Sequence, residues 1–194
     1  MTQPSTPTTP EPGSPPLPER WLRGPVAHIP LLLQPVAHSL LQARDEVHNL
    51  ASEFPDEKLW ERPGGAASAG FHLQHITGVL DRMFTYARGA SLDNTQRRTL
   101  ENEGNPPRPD TTARDLYPDF NRQIEMALDQ LRVTTEDMLG DPRKVGRQGM
   151  PSTVQGLLFH AAEHVQRHLG QLLVTVRIVA GDHNAGDHNK EESS

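Results

Sequence analysis

The chain has 194 residues, a formal net charge of -6 and no cysteine, which excludes disulfides, thiolate metal ligands and an internal thiol nucleophile; any metal must be held by nitrogen and oxygen. Only 34% of the residues are hydrophobic, but the deficit sits at the two ends, so the middle retains the composition of a single globular domain with a proper core. No basic block and no aromatic-plus-basic pattern accompanies the acidic balance, so a nucleic-acid partner is not expected, and without a membrane-length apolar run or a signal-peptide core the expected protein is soluble, cytoplasmic and not membrane-bound.

Residues 1–20, MTQPSTPTTPEPGSPPLPER, hold seven prolines and read as a disordered tail, because such a composition cannot offset the entropy of ordering it. A first helix is predicted from Leu31 or Pro35 to Phe54, where Val36, Leu40, Leu41, Val47, Leu50 and Ala51 recur at helical spacing. Pro35 is placed in its first turn, the position where a missing N–H costs nothing. A second helix is predicted from Ser68, as N-cap, to Gly89, as terminator, with Phe71, Leu73, Ile76, Val79, Leu80, Met83, Phe84 and Ala87 on its apolar face. The connection from Ala90 to Asp110 is long enough to cross a bundle and contains a candidate short helix, Thr95 to Glu101.

A third helix is predicted from Thr111 or Thr112 to Leu139 or Gly140, with Pro118 disturbing its first turns. A fourth opens on the capping-box pattern Ser152-Thr153-Val154-Gln155 and runs to about Ala180, with Gly181 as its terminator. Residues 181–194 read as a second disordered tail, in which His183 and His188 are taken as solvated. No segment alternates with period two. The fold expected over residues 21–180 is therefore an all-α four-helix bundle, up-down-down-up, with the long connection crossing between the second and third helices.

The fourth helix carries the chemistry, in HAAEHVQRHLGQ. His160, His164 and His168 recur every four residues and share a helical face, so two of them can converge on one metal ion. At about 100° per residue, taking His160 as origin, His164 lies near ~40° and His168 near ~80°, while the apolar stripe of Ala161, Val165, Leu169, Leu172 and Val176 centres near ~130°. His164 and His168 are the better pair. A third ligand must come from elsewhere, and the second helix offers His72 and His75; periodicity slightly favours His72, which lies nearer the apolar centre. Arg82, on the mixed face with His75, suits an anionic substrate better than it suits a neighbouring cation.

The ERPGG turn at Glu61 to Gly65, FHLQHITGVLDRM from Phe71 and HAAEHVQRHLGQLL from His160 together resemble the DinB/YfiT-like superfamily of small metal-binding four-helix bundles, over about Pro35 to Ile178. The resemblance implies a divalent-metal site made by one histidine of the second helix and the HxxxH pair of the last. Motif against motif, these are His75, His164 and His168, which overrides the periodicity in favour of His72. His160 then becomes a neighbour, and Glu163 and Gln171 become candidates for orienting ligands. Zn or Ni is the expected ion, with Fe or Mn as further options.

Three neutral imidazoles leave the charge of such an ion available to lower the pKa of a bound thiol or water. The resemblance thus implies a thiol S-transferase using a low-molecular-weight thiol such as bacillithiol or mycothiol, or a hydrolase of amides or esters, working as a homodimer on a small-molecule substrate. A non-catalytic metal-binding stress-response protein is the alternative. An open cleft above the histidines, lined by groups such as Arg82, is the mark of an enzyme; a sealed site is the mark of a structural one.

Overall fold

The computed structural model describes residues 17–185 of the chain. Five helices dominate it: α1 (Gln34–Glu53), α2 (Ala69–Ala87), α3 (Asn94–Asn102), α4 (Ala113–Val133) and α5 (Val154–Ala185). A short antiparallel hairpin, β1 (Pro142–Val145) and β2 (Met150–Thr153), precedes α5. The protein is mostly helical, as the periodicity predicts.

The helix starts follow their capping chemistry. Pro35 lies in the first turn of α1, and the Ser68 side chain accepts from the Phe71 N–H at the start of α2. Thr112 and Asp115 form a reciprocal capping box on α4. Gly89, at φ 78, closes α2 in the left-handed conformation that glycine adopts without penalty, with Ala90 N–H donating to the Thr85 carbonyl at 3.1 Å. The crossover between α2 and α4 contains α3, capped by Asp93 and Gln96, which is the short helix the sequence suggests.

Four expectations need correction. The third predicted helix does not reach Leu139: α4 ends at Val133 because Thr134 turns extended and its hydroxyl donates to the Gln130 carbonyl at 2.8 Å, and a separate 3-10 turn then spans Glu136–Gly140. Two strands occur where none was expected. They are only four residues each, joined through Gly146 and Gly149, both at positive φ, too short for period two to register. The cap of α5 is Thr153, whose hydroxyl accepts from Gly156 N–H; Ser152 belongs to β2. Finally, α5 does not stop at Gly181 but continues to Ala185, since a glycine at ordinary helical φ is only a modest penalty within a helix and no proline follows.

The predicted tails lie mostly outside the described residues, which exclude 1–16 and 186–194; His188 and the side chain of His183 fall there too. At the described edge, Arg20 is tied to α1 by a bidentate pair with Asp45 at 2.6 Å. No helix among the described residues is long and apolar enough to cross a membrane.

α1 and α2 each pack against both α4 and α5. The shared core is aliphatic, with Leu33, Leu40, Leu73, Ile76, Leu80, Phe120, Ile124, Leu131, Leu158, Leu169 and Leu172 almost fully buried. The α2–α5 seam, the most extensive in the molecule, carries the histidines on its outer edge, and α3 lies against α2.

Candidate metal centre

Helical spacing brings the histidines together as it should. On α5 the rings of His164 and His168 stand 4.7 Å apart, centroid to centroid, and His160 lies one turn earlier, 5.2 Å from His164. On α2, His72 and His75 face them across the seam. His75 Nε2 lies 3.0 Å from His164 Nε2, and the rings of His75 and His168 are 4.3 Å apart. His75, His164 and His168 each present one ligand atom within 4.8 Å of the other two. Two imidazole nitrogens on a tetrahedral ion at ~2.0–2.1 Å stand about 3.3 Å apart, close to the separation of His75 from His164. The donor set therefore fits a divalent metal.

His72 plays a different part from the one its helical position suggests. It is buried, and its Nδ1 lies 3.1 Å from His168 Nδ1, so it shares a proton with the candidate ligand and leaves His168 Nε2 as the other ring nitrogen. Phe71 stacks on His75 at 5.2 Å with an interplanar angle of 12°, forming an aromatic wall beside the cluster.

The electrostatics favour the neutral forms of His72, His164 and His168. Burial lowers the pKa of His168 to about 4, with His75, His164 and His72 adding to the effect. Burial also lowers His72 and His164, reinforced by His75 in both cases. A neutral imidazole has a lone pair to offer a metal; a protonated one has none. His164 Nδ1 is buried without a hydrogen-bond partner among the described residues, so this ring has one nitrogen in the cluster and one unsatisfied.

The remaining predicted residues fall farther out. Glu163 binds Arg167, four residues on, and stands 3.6 Å from His160 Nδ1; it makes no bond to His164. His160 is exposed, and with Glu163 and His164 it forms a second set of ligand atoms within 4.8 Å of one another. Gln171 is also exposed and lines a groove of about 700 Å³ with His72, Arg167, Gly170, Val174 and Ile178; it does not bond the cluster. Arg82, a candidate for substrate binding or for a place behind the ligands, already has a partner. It is buried and its Nη1 donates to Glu103 Oε1 at 2.6 Å, so its charge is already matched.

Glu103 is the residue that sequence reasoning missed. It follows α3 in the crossover, is 5% exposed, and its Oε2 accepts from His75 Nδ1 at 2.6 Å. No periodicity marks it; the only trace in the sequence is a carboxylate within a connection long enough to fold back over α2. Gln74 pins that return through two bonds, accepting from Gly104 N–H at 2.7 Å and donating to the Asn105 carbonyl at 2.9 Å. A cavity of about 760 Å³ between α2, α3 and α4 lies beyond this return and is lined by residues that include Gln74, Arg98, Asn102 and Asn105 and none of the histidines.

A bundle seam carrying three half-buried histidines from two helices defines a small helical protein with a group that could hold a metal ion. The chain belongs to the DinB superfamily, whose family model matches residues 39–172. The fold is similar to that of a conserved protein from Enterococcus faecalis, with a TM-score of 0.60 and 18% identity, covering 77% of this chain and 97% of that one. No curated protein matches the chain.

Proposed function

We propose that the protein is a divalent-metal-dependent enzyme in which His75, His164 and His168 hold the ion. The observation that carries this reading is the convergence of three imidazole nitrogens from α2 and α5 within 4.8 Å, in a cluster where burial lowers the pKa of His164 and His168 yet which is not sealed, since His75 retains 17% of its side-chain exposure. Zn or Ni suits three nitrogen donors best. When bound, such an ion lowers the pKa of a thiol or a water toward neutrality.

Thiol transfer is the first use. The chain has no cysteine, so the nucleophilic sulfur must belong to a cosubstrate, and a low-molecular-weight thiol can enter by the groove beside His72, whose walls of Val174 and Ile178 accept an apolar body while Gln171 offers hydrogen bonds. Hydrolysis uses the same three histidines with water in place of the thiol. Phe71 screens one side of the cluster and His72 fixes the His168 ring; both act by orientation.

We also read the long helices as up-down-down-up and the working unit as a cytoplasmic homodimer, the latter on the family resemblance. Support for the topology comes from contacts that run oppositely along α1 and α4, where Arg44 meets Glu125 and Ser52 meets Arg114, but in step along α2 and α4, where Gln74 shares a cavity with Leu116 and Phe84 meets Gln130. Replacing His164 and His168 together with Ala should abolish stoichiometric divalent-metal binding, measured by elemental analysis of purified protein, and should abolish transfer in a screen of bacillithiol, mycothiol and glutathione against one electrophile. Unchanged metal content in a folded double variant overturns the ligand assignment.

A further inference from the structure

Gly78, Arg82 and Glu103 are absent from any metal-ligand set, yet they form one buried unit behind His75. Arg82 and Glu103 are 7% and 5% exposed at their side chains and meet at 2.6 Å, Nη1 to Oε1. The second carboxylate oxygen, Oε2, receives the His75 Nδ1 at 2.6 Å. A β-carbon at Gly78 would stand 2.5 Å from both Arg82 Nη1 and Glu103 Oε1, so the ion pair occupies the volume that any larger residue would fill. We infer that Glu103 is a positioning residue: held by Arg82 in the space left by Gly78, it fixes His75 in the tautomer with the proton on Nδ1 and a bare Nε2 turned toward His164 and His168.

The chemistry is directional. A carboxylate only accepts, so the nitrogen that meets it carries the proton, and in the neutral ring the opposite nitrogen is then the one with the lone pair. Arg82 occupies the other oxygen through Nη1, and this charge-assisted bond opposes the carboxylate swinging away from His75. An outer partner of this kind orients a ligating ring and raises its basicity; its loss typically costs about 10–100-fold in metal affinity. The crossover thereby does more than connect helices. Gln74 clamps the backbone at Gly104 and Asn105, and this clamp delivers Glu103 to the seam.

The inference rests on His75 being a ligand, and its test has one arm that does not need a metal. In metal-free, ¹⁵N-labelled protein, long-range ¹H–¹⁵N correlation of the imidazoles should show His75 as the Nδ1–H tautomer, and Gly78→Ala and Glu103→Gln should each shift it to a mixture. Zn²⁺ affinity by chelator competition should fall about 10–100-fold in the same variants. Because Glu103→Gln leaves Arg82 buried without its counter-ion, the double variant Arg82→Gln/Glu103→Gln, which carries no buried charge, is measured beside it. Each variant is scored only after its helical circular dichroism matches the parent protein.

A His75 ring protonated on Nε2 in the parent protein overturns the inference, as does an unchanged tautomer together with Zn²⁺ affinity within twofold in folded Gly78→Ala and the double variant. If the parent protein binds neither Zn²⁺ nor Ni²⁺ but His75 shows the expected tautomer and loses it in the variants, the positioning stands and the proposed metal enzyme falls.

Discussion

Burial among other imidazoles pulls the His168 pKa down to about 4 and lowers those of His72 and His164, and this has a consequence for stability. The unfolded chain takes up protons on these residues at about pH 6.5, whereas the folded chain resists until lower pH. Between those values the unfolded state binds more protons, so stability rises with pH; the contribution is fully present above about pH 6.5 and is lost as pH falls toward 4. Metal-free protein should therefore show a melting temperature that drops progressively from pH 7 to pH 4, and a His168→Ala variant should show a shallower drop. A parent profile that is flat over this range contradicts the lowered pKa values of His72, His164 and His168. At this scale the HxxxH pair was legible because i, i+4 spacing alone puts two rings on one face. Glu103 was not legible, since it reaches His75 only after the crossover folds back, and a chain separation of 28 residues leaves no periodic signal. The partner of Arg82 was hidden for the same reason, since Glu103 reaches it only once the fold forms.

At the scale of the element, α2 shows how one glycine differs from another. Gly70 lies against the Trp60 ring, where an added β-carbon would come within 2.6 Å of ring atoms, and its N–H donates to the Leu59 carbonyl at 2.8 Å, which stops the helix from backing away. Alanine there gains up to ~1 kcal/mol of helix propensity but forces a rigid ring aside, an overpacking cost of about 1–3 kcal/mol. The second effect should win, so Gly70→Ala lowers the melting temperature. Gly170 on α5 is exposed and has nothing within 4 Å of its would-be β-carbon; there only propensity acts, and Gly170→Ala should raise the melting temperature. Equal shifts of the same sign in paired thermal melts refute this account. The helices themselves were readable because apolar residues at three- and four-residue steps, bounded by Ser68, Gly89 and Thr112, carry the signal locally. The end of α4 and the hairpin were not, because a Thr134 hydroxyl taking a helix carbonyl and four-residue strands are decided by contacts too local and too short for periodicity to report.

For the molecule as a whole, the three histidines join α2 to α5 across the most extensive seam in the bundle, and Glu103 ties the crossover to the same point. An ion bound there holds only the folded arrangement, because in the unfolded chain His75 lies 89 residues from His164 and loop closure opposes their meeting. Binding of this kind stabilises by about 2.7 kcal/mol at a free concentration of 100 times Kd. For a protein of 150–250 residues each kcal/mol is worth about 2–4 °C, so saturating Zn²⁺ or Ni²⁺ should raise the melting temperature by about 5–10 °C, and a chelator should reverse the rise. His168→Ala should lose most of the shift. His160→Ala should keep it, since His160 stands on the exposed side and outside the three-histidine set. Were His160→Ala to lose the shift while His168→Ala kept it, the ion would sit at the outer group of His160, Glu163 and His164 and would stabilise α5 alone. Differential scanning fluorimetry at pH 7.5, where His164 and His168 are neutral, separates the two because only the inner site couples metal binding to the packing of α2 on α5.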